Sequence, residues 1–99
     1  MSFNVKTTRL FLEQVHALSK DARMLVGSKI DLIAKNPFRF KRIHSKKFSH
    51  VFRVRLNLDG KETRLIYLLM EPDVVIACLL ERKNDYKDLE KMLEKSLRG

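Results

Sequence analysis

Apolar and polar residues alternate strictly from Val51 to Leu58, with Phe52, Val54, Leu56 and Leu58 on one side and Arg53, Arg55 and Asn57 on the other. That period of two is the mark of a half-buried strand. Asp59-Gly60 follows as a hairpin turn. Glu62 to Met70 returns as the second strand, Glu71-Pro72-Asp73 turns again, and Val74 to Arg82 is a third β-rich run. Short turns between successive strands predict an antiparallel meander. Ahead of it, Phe3 to Thr7 alternates and reads as a short strand that must join a sheet edge. From Thr8 or Arg9 to Leu18 the apolar residues Leu10, Phe11, Val15 and Leu18 recur at helical spacing. Ser19 to Asp21 offers a new N-cap, and a second helix is predicted from about Ala22 to Lys35, with Leu25, Val26, Ile30, Ile33 and Ala34 inward. Asn36-Pro37 stops it, since proline removes a donor and clashes with a continuing helix. The segment from Phe38 to His50 is basic and irregular. The tail is a last helix beginning near Asn84 or Asp85, with Tyr86, Leu89, Met92, Leu93 and Leu97 on one face.

The predicted class is α+β: a small antiparallel sheet of a three-strand meander plus the N-terminal strand, packed on an N-terminal helical hairpin, with a C-terminal helix. At 99 residues the chain is expected to form one domain, 1–99. The last helix covers only part of the sheet's second face, which leaves room there for chemistry.

Charge sharpens that expectation. The chain has 21 Lys and Arg against 12 Asp and Glu, a formal net charge of +9. So large an excess favours a polyanionic partner, nucleic acid or a strongly acidic protein. The one cysteine, Cys78, excludes an internal disulfide and a thiolate zinc site, and within its apolar run it reads as a buried small hydrophobe. No stretch is long and apolar enough to span a bilayer, so no membrane partner is expected. Met1 to Lys6 lacks a signal pattern, and a cytoplasmic location is the expectation.

The basic residues also converge. Arg53 and Arg55 share a strand face, Arg64 lies just beyond the hairpin, and Arg82 ends the third strand. Tyr86 follows four positions later, and Lys46 and Lys47 stand just before the Val51 strand. Pairing around Asp59-Gly60 would gather these groups on one cationic surface suited to a phosphate. Tyr67 alternates with Leu65 and Leu69 and reads as core, while His16 and His50 read as surface or packing residues.

Val51-Phe52-Arg53-Val54-Arg55-Leu56, Gly60, Thr63-Arg64-Leu65-Ile66-Tyr67 and Arg82-Lys83-Asn84-Asp85-Tyr86, in this order and spacing, resemble the RelE/ParE toxin superfamily. The preceding strand and helix pair occur in the same order, so the resemblance extends over nearly the whole chain. RelE-type members cleave messenger RNA on the ribosome, whereas ParE-type members inhibit DNA gyrase. Arg64, Arg82 and Tyr86 stand where RelE-like nucleases keep functional residues, Arg53 and Arg55 where some carry lysine, and Lys47-Phe48 resembles a Lys-Leu pair before the basic strand. Glu81 replaces a histidine that some relatives place before the closing arginine, and the Asn57 to Glu62 hairpin is slightly longer than usual.

The resemblance implies a metal-independent endoribonuclease without cofactor, in which a ribose 2′-hydroxyl attacks the adjacent phosphate. Arg64 and Arg55 would then hold the phosphate, Arg82 would serve the leaving group, and Tyr86 would stack on or orient the scissile nucleotide. Arg53, Lys46, His44 and Arg42 would bind RNA. The base is open between Lys47 or Lys46, if neighbouring arginines depress its pKa, His44 and Glu81, which strand alternation sets opposite Arg82. The implied partners are the ribosome with its messenger RNA and a cognate acidic antitoxin, the free toxin being monomeric and the complex hetero-oligomeric. A gyrase inhibitor, a degenerate antitoxin-binding protein and a plain nucleic-acid-binding regulator are the alternatives.

Overall fold

The computed structural model of the chain describes residues 3–82 and 86–98. Its elements are β1 (Asn4–Thr7), α1 (Arg9–His16), α2 (Lys20–Lys35), β2 (Lys41–Ile43), β3 (Val51–Leu58), β4 (Lys61–Met70), β5 (Asp73–Glu81) and α3 (Tyr86–Arg98). The strands form one sheet in the order β1-β5-β4-β3-β2. β3, β4 and β5 are the expected antiparallel meander, and β1 joins the edge beside β5, running parallel to it. β2, absent from the sequence expectation, pairs antiparallel with β3 and forms the other edge. Three residues with one apolar member are too short to show a period.

The β3–β4 turn has only Asp59 and Gly60 between the paired residues Leu58 and Lys61. Both take left-handed φ values, 52° and 81°, as a type I′ turn demands, and that turn's twist matches the strands it joins. Asp59 does a second task. Its carboxylate accepts bonds from the Ser19 amide (3.0 Å) and hydroxyl. Ser19 is the N-cap of α2 and accepts from the Ala22 amide, so the hairpin tip and the start of α2 are one hydrogen-bonded unit.

Alternation divides the core in two. Phe52, Val54, Leu56, Leu58, Leu65, Tyr67, Leu69, Val74, Ile76 and Leu79 pack with Phe11 of α1 and Ala22, Val26 and Ile33 of α2. Val51, Ile66, Leu68, Ala77, Cys78 and Leu80 face the other way, beneath Leu89 and Leu93 of α3. On α2 the buried line is Ala22, Val26 and Ile33, and Leu25 is turned outward. On α3 Ser96 is buried in the place expected of Leu97, which is exposed. Tyr67 is fully buried, stacks on Phe52 with centroids 5.2 Å apart, and donates to the Pro37 carbonyl at 2.6 Å. It therefore pins the end of α2 to the sheet, and burial pushes its hydroxyl pKa upward.

A bulge sets the phase of β5. Ile66 pairs with Cys78 but Tyr67 with Ile76, leaving Ala77 as the extra residue. Even-numbered residues before it, Val74 and Ile76, face α1 and α2, whereas Cys78 and Leu80 after it face α3. Beyond Thr7, where β1 ends, α1 takes over the β5 edge. Thr8 caps α1 and donates its hydroxyl to the Ala77 carbonyl at 2.6 Å. The Gln14 side-chain amide donates to the Leu79 carbonyl (2.8 Å) and accepts from the Leu79 amide (2.7 Å), as a neighbouring strand would.

Candidate nucleic-acid interface

Register decides which cations meet. Arg55 pairs directly with Arg64, Arg53 with Ile66, and Lys41 of β2 with Arg53. Directly opposed residues share a face, so Lys41, Arg53, Arg55 and Arg64 form one field on the α3 side of three adjacent strands. Within it, Arg53 (9% exposed) and Arg64 (5%) are enclosed, and Arg55 and Lys41 are open to solvent. The enclosed arginine of β3 is thus Arg53, while Arg55 stands at the surface.

Arg55 and Arg64 stand side by side across the β3–β4 ladder, where a phosphate can be gripped by two guanidinium groups through forked hydrogen bonds. Burial of Arg53 and Arg64 fixes their directions in advance, so little reorganisation is needed when charge develops on a bound group.

Arg82 lies one step beyond the β5 ladder, its amide donating to the Glu62 carbonyl at 2.9 Å. The bulge at Ala77 gives it the same parity as Leu80, the partner of Arg64. Its side chain is exposed and lines a small hollow with Lys61, Glu62 and Glu81. Glu81 falls on the α1 side, paired with Thr63 and 3.4 Å from the Lys61 ammonium, and is thereby set away from the arginine field. The Tyr86 side chain lies outside the described residues.

The basic segment divides differently from the sequence expectation. Arg42 pairs with Phe52 and so turns to the face opposite the arginines, whereas Lys41, not among the expected site residues, joins them. Ile43, two residues on, packs in the α3-side core and could have revealed that parity had the segment been read as a strand. Arg42, His44, Lys46 and Lys47 nevertheless line one shallow cavity of about 310 Å³ formed by residues 42–50. Lys47 does not feel the arginines as expected. Its ammonium bonds the Glu94 carboxylate of α3, and that contact raises its pKa above the ordinary lysine value. Glu94 is correspondingly held below the usual carboxylate range. His16 is exposed and away from this cavity, whereas His50, also exposed, lines it. Cys78 is fully buried, its thiol pushed up to about 12 by desolvation.

No protein-family model matches this sequence, and no curated protein matches it. Solved structures do. A double arginine-to-alanine mutant of the E. coli toxin RelE in the free state superimposes with a TM-score of 0.67 at 13% identity, covering 99% of this chain and 97% of that one. A RelBE toxin–antitoxin complex from Mycobacterium tuberculosis gives 0.66 at 21% identity, over 83% of this chain and 100% of that one. An archaeal RelE–RelB complex from Pyrococcus horikoshii gives 0.61 at 18% identity, over 86% and 100%. The chain has the RelE fold, in agreement with the resemblance carried by its motifs.

Proposed function

We propose that this chain, built on the RelE fold, is a RelE-like toxin of a toxin–antitoxin system, a metal-independent endoribonuclease that cuts messenger RNA on the ribosome and so stops translation. The observation that carries this reading is the opposition of Arg55 to Arg64, with Arg53 and Lys41 beside them, on one sheet face.

The reaction asks for a base at the ribose 2′-hydroxyl, cations around the phosphate and a proton for the leaving oxygen. The 2′-oxygen forms a bond to phosphorus, the bond to the 5′-oxygen breaks, and a 2′,3′-cyclic phosphate and a 5′-hydroxyl result. Arg64 and Arg55 grip the non-bridging oxygens, where charge accumulates. Arg53, enclosed beside Arg64, reinforces that field, and Lys41 extends it along the RNA backbone. Arg82 serves the leaving oxygen, and Tyr86, by its place in the sequence, orients the scissile nucleotide. With the Lys47 ammonium paired to Glu94, the 2′-hydroxyl proton falls to His44 in the same loop. Acid–base equipment this sparse makes the ribosome a participant, since it must bring the RNA into line. A cognate antitoxin with an acidic binding segment is the protein partner, its charge complementing the +9 of the chain in a hetero-oligomer in the cytoplasm.

Expression of the chain should arrest growth, and Arg64→Ala or Arg82→Ala should abolish the arrest while leaving the circular dichroism spectrum unchanged. Loss of one such transition-state contact costs roughly a hundred- to a thousandfold in rate. Undiminished arrest by both variants contradicts the phosphate site. One observation favours a second reading: the Lys47–Glu94 pair removes a candidate base, as suits a non-catalytic, ParE-like gyrase inhibitor. Inhibition of gyrase supercoiling without messenger RNA cleavage would select that alternative.

A further inference from the structure

The loop between β2 and β3 carries His44, Lys46 and Lys47, and one carboxylate of α3 holds it in place. Glu90 Oε2 accepts from the Ser45 hydroxyl at 2.9 Å and from the Lys47 amide at 3.0 Å. The same Ser45 oxygen accepts from the Lys47 and Phe48 amides at 3.3 and 3.2 Å. Glu90 and Ser45 thus close the turn Ser45–Phe48 upon itself and upon the helix. On either side of this knot, Phe48 packs into the core beneath α3, and the Lys47 ammonium reaches Glu94 one helical turn from Glu90. The helix in turn is seated by Leu89 and Leu93 mainly on β5, in a cluster that also takes in Ile66 and Leu68 of the Arg64 strand and Val51 of the Arg53 strand.

An exposed lysine–carboxylate pair such as Lys47–Glu94 contributes little to holding two elements together. The Glu90 contacts are of another kind, because a carboxylate accepting a backbone N–H and a hydroxyl makes charge-assisted hydrogen bonds. The Glu90 carboxyl is held below the usual range first by the Ser45 hydroxyl and then by the Lys47 amide, so the contact is made by the ionised form.

We propose that Glu90 is a positioning residue, which fixes the 44–50 loop against α3 so that the loop's cations act together with the arginine face on RNA. The proposal rests on the RNA-cleaving reading for its ligand but not on cleavage. Its sign is unusual. A carboxylate beside a polyanion site repels the ligand, so deleting Glu90 through charge alone would tighten RNA binding. If Glu90 works by positioning, deleting it weakens binding instead. Glutamine removes the same charge as alanine yet keeps a carbonyl oxygen able to accept both bonds.

The test compares the unmodified chain with Glu90→Ala and Glu90→Gln. Alanine is the best helix former, so α3 itself is not penalised. Amide hydrogen exchange is followed at Lys47 and Phe48, and affinity for a single-stranded RNA oligonucleotide is measured at fixed salt. In Glu90→Ala, exchange at the two amides should quicken about tenfold or more, as loss of hydrogen bonds to a charged group implies. Amides of β4 and β5 should be unchanged, and RNA binding should weaken several-fold. Glu90→Gln should restore most of both. Unchanged exchange in the alanine variant, tighter RNA binding by it, or equal behaviour of the two variants each overturns the proposal. A chain that never cuts messenger RNA would refute the nuclease reading and leave both of these readouts standing.

Discussion

At the residue scale, the cations are distinguished by what surrounds each of them. Arg53 and Arg55 look equivalent in sequence, two positions apart on one strand face. In the structure one is enclosed and the other open, because enclosure depends on what lies above the strand and not on its period. Lys47 shows the same dependence in its protonation. Glu94 comes from an element 47 residues away, so no local pattern announces the pair that raises the lysine pKa. Tyr67, by contrast, was legible as core from its alternation with Leu65 and Leu69. Asp59 supplies a prediction at this scale. Its bonds from Ser19 hold its folded pKa below the unfolded value of 3.8. The ionised form is therefore the one that favours folding. Its contribution is complete above the unfolded pKa and disappears as pH falls through the folded value. Asp59→Asn should be less stable than the parent at neutral pH, and the difference should shrink below about pH 4. Urea titrations across that range check this; a difference that persists unchanged into acid would show that the carboxylate charge is not what ties the turn to α2.

At the element scale, the meander was legible because two signals agree there, period-two alternation and an Asp59-Gly60 turn of the right length. β2 was not, since its identity comes from pairing with β3. That omission also hid that Arg42 and Lys41 turn to opposite faces of the sheet. The bulge at Ala77 was equally hidden, because one extra residue within an unbroken apolar run changes no local pattern. Its consequence is large, for it carries Cys78 and Leu80 round to the arginine face. The helices were legible in number and approximate bounds, less so in which residue of each turn is buried, as Leu25 and Leu97 show. The turn can be tested directly. An added Cβ at Gly60 meets nothing within 4 Å, so Gly60→Ala should cost only the left-handed backbone penalty, about 1–2 kcal/mol. Thermal unfolding should show that loss with the fold retained, whereas an unchanged midpoint would mean that Gly60 does not hold a left-handed conformation in solution.

At the scale of the whole molecule, the architecture separates support from chemistry. α2 and Phe11 of the edge helix α1 cover one sheet face and build the larger core. The other face is divided between the seat of α3 and the field of Lys41, Arg53, Arg55 and Arg64, all set on strands, with Arg53 and Arg64 enclosed. A net charge of +9 brings polyanions to the surface in general, but only cations gathered by register can meet a single phosphate. That gathering is the claim on which the functional account depends. Its most direct test is to add the purified chain to ribosomes programmed with a messenger RNA and map the cut ends. Arg55→Ala serves as the decisive variant because Arg55 is exposed and its removal leaves the core intact. Cuts within the codon being decoded, reduced roughly a hundredfold by Arg55→Ala, are the predicted result. No cuts by the parent chain, or cuts of equal rate by the variant, would contradict the account.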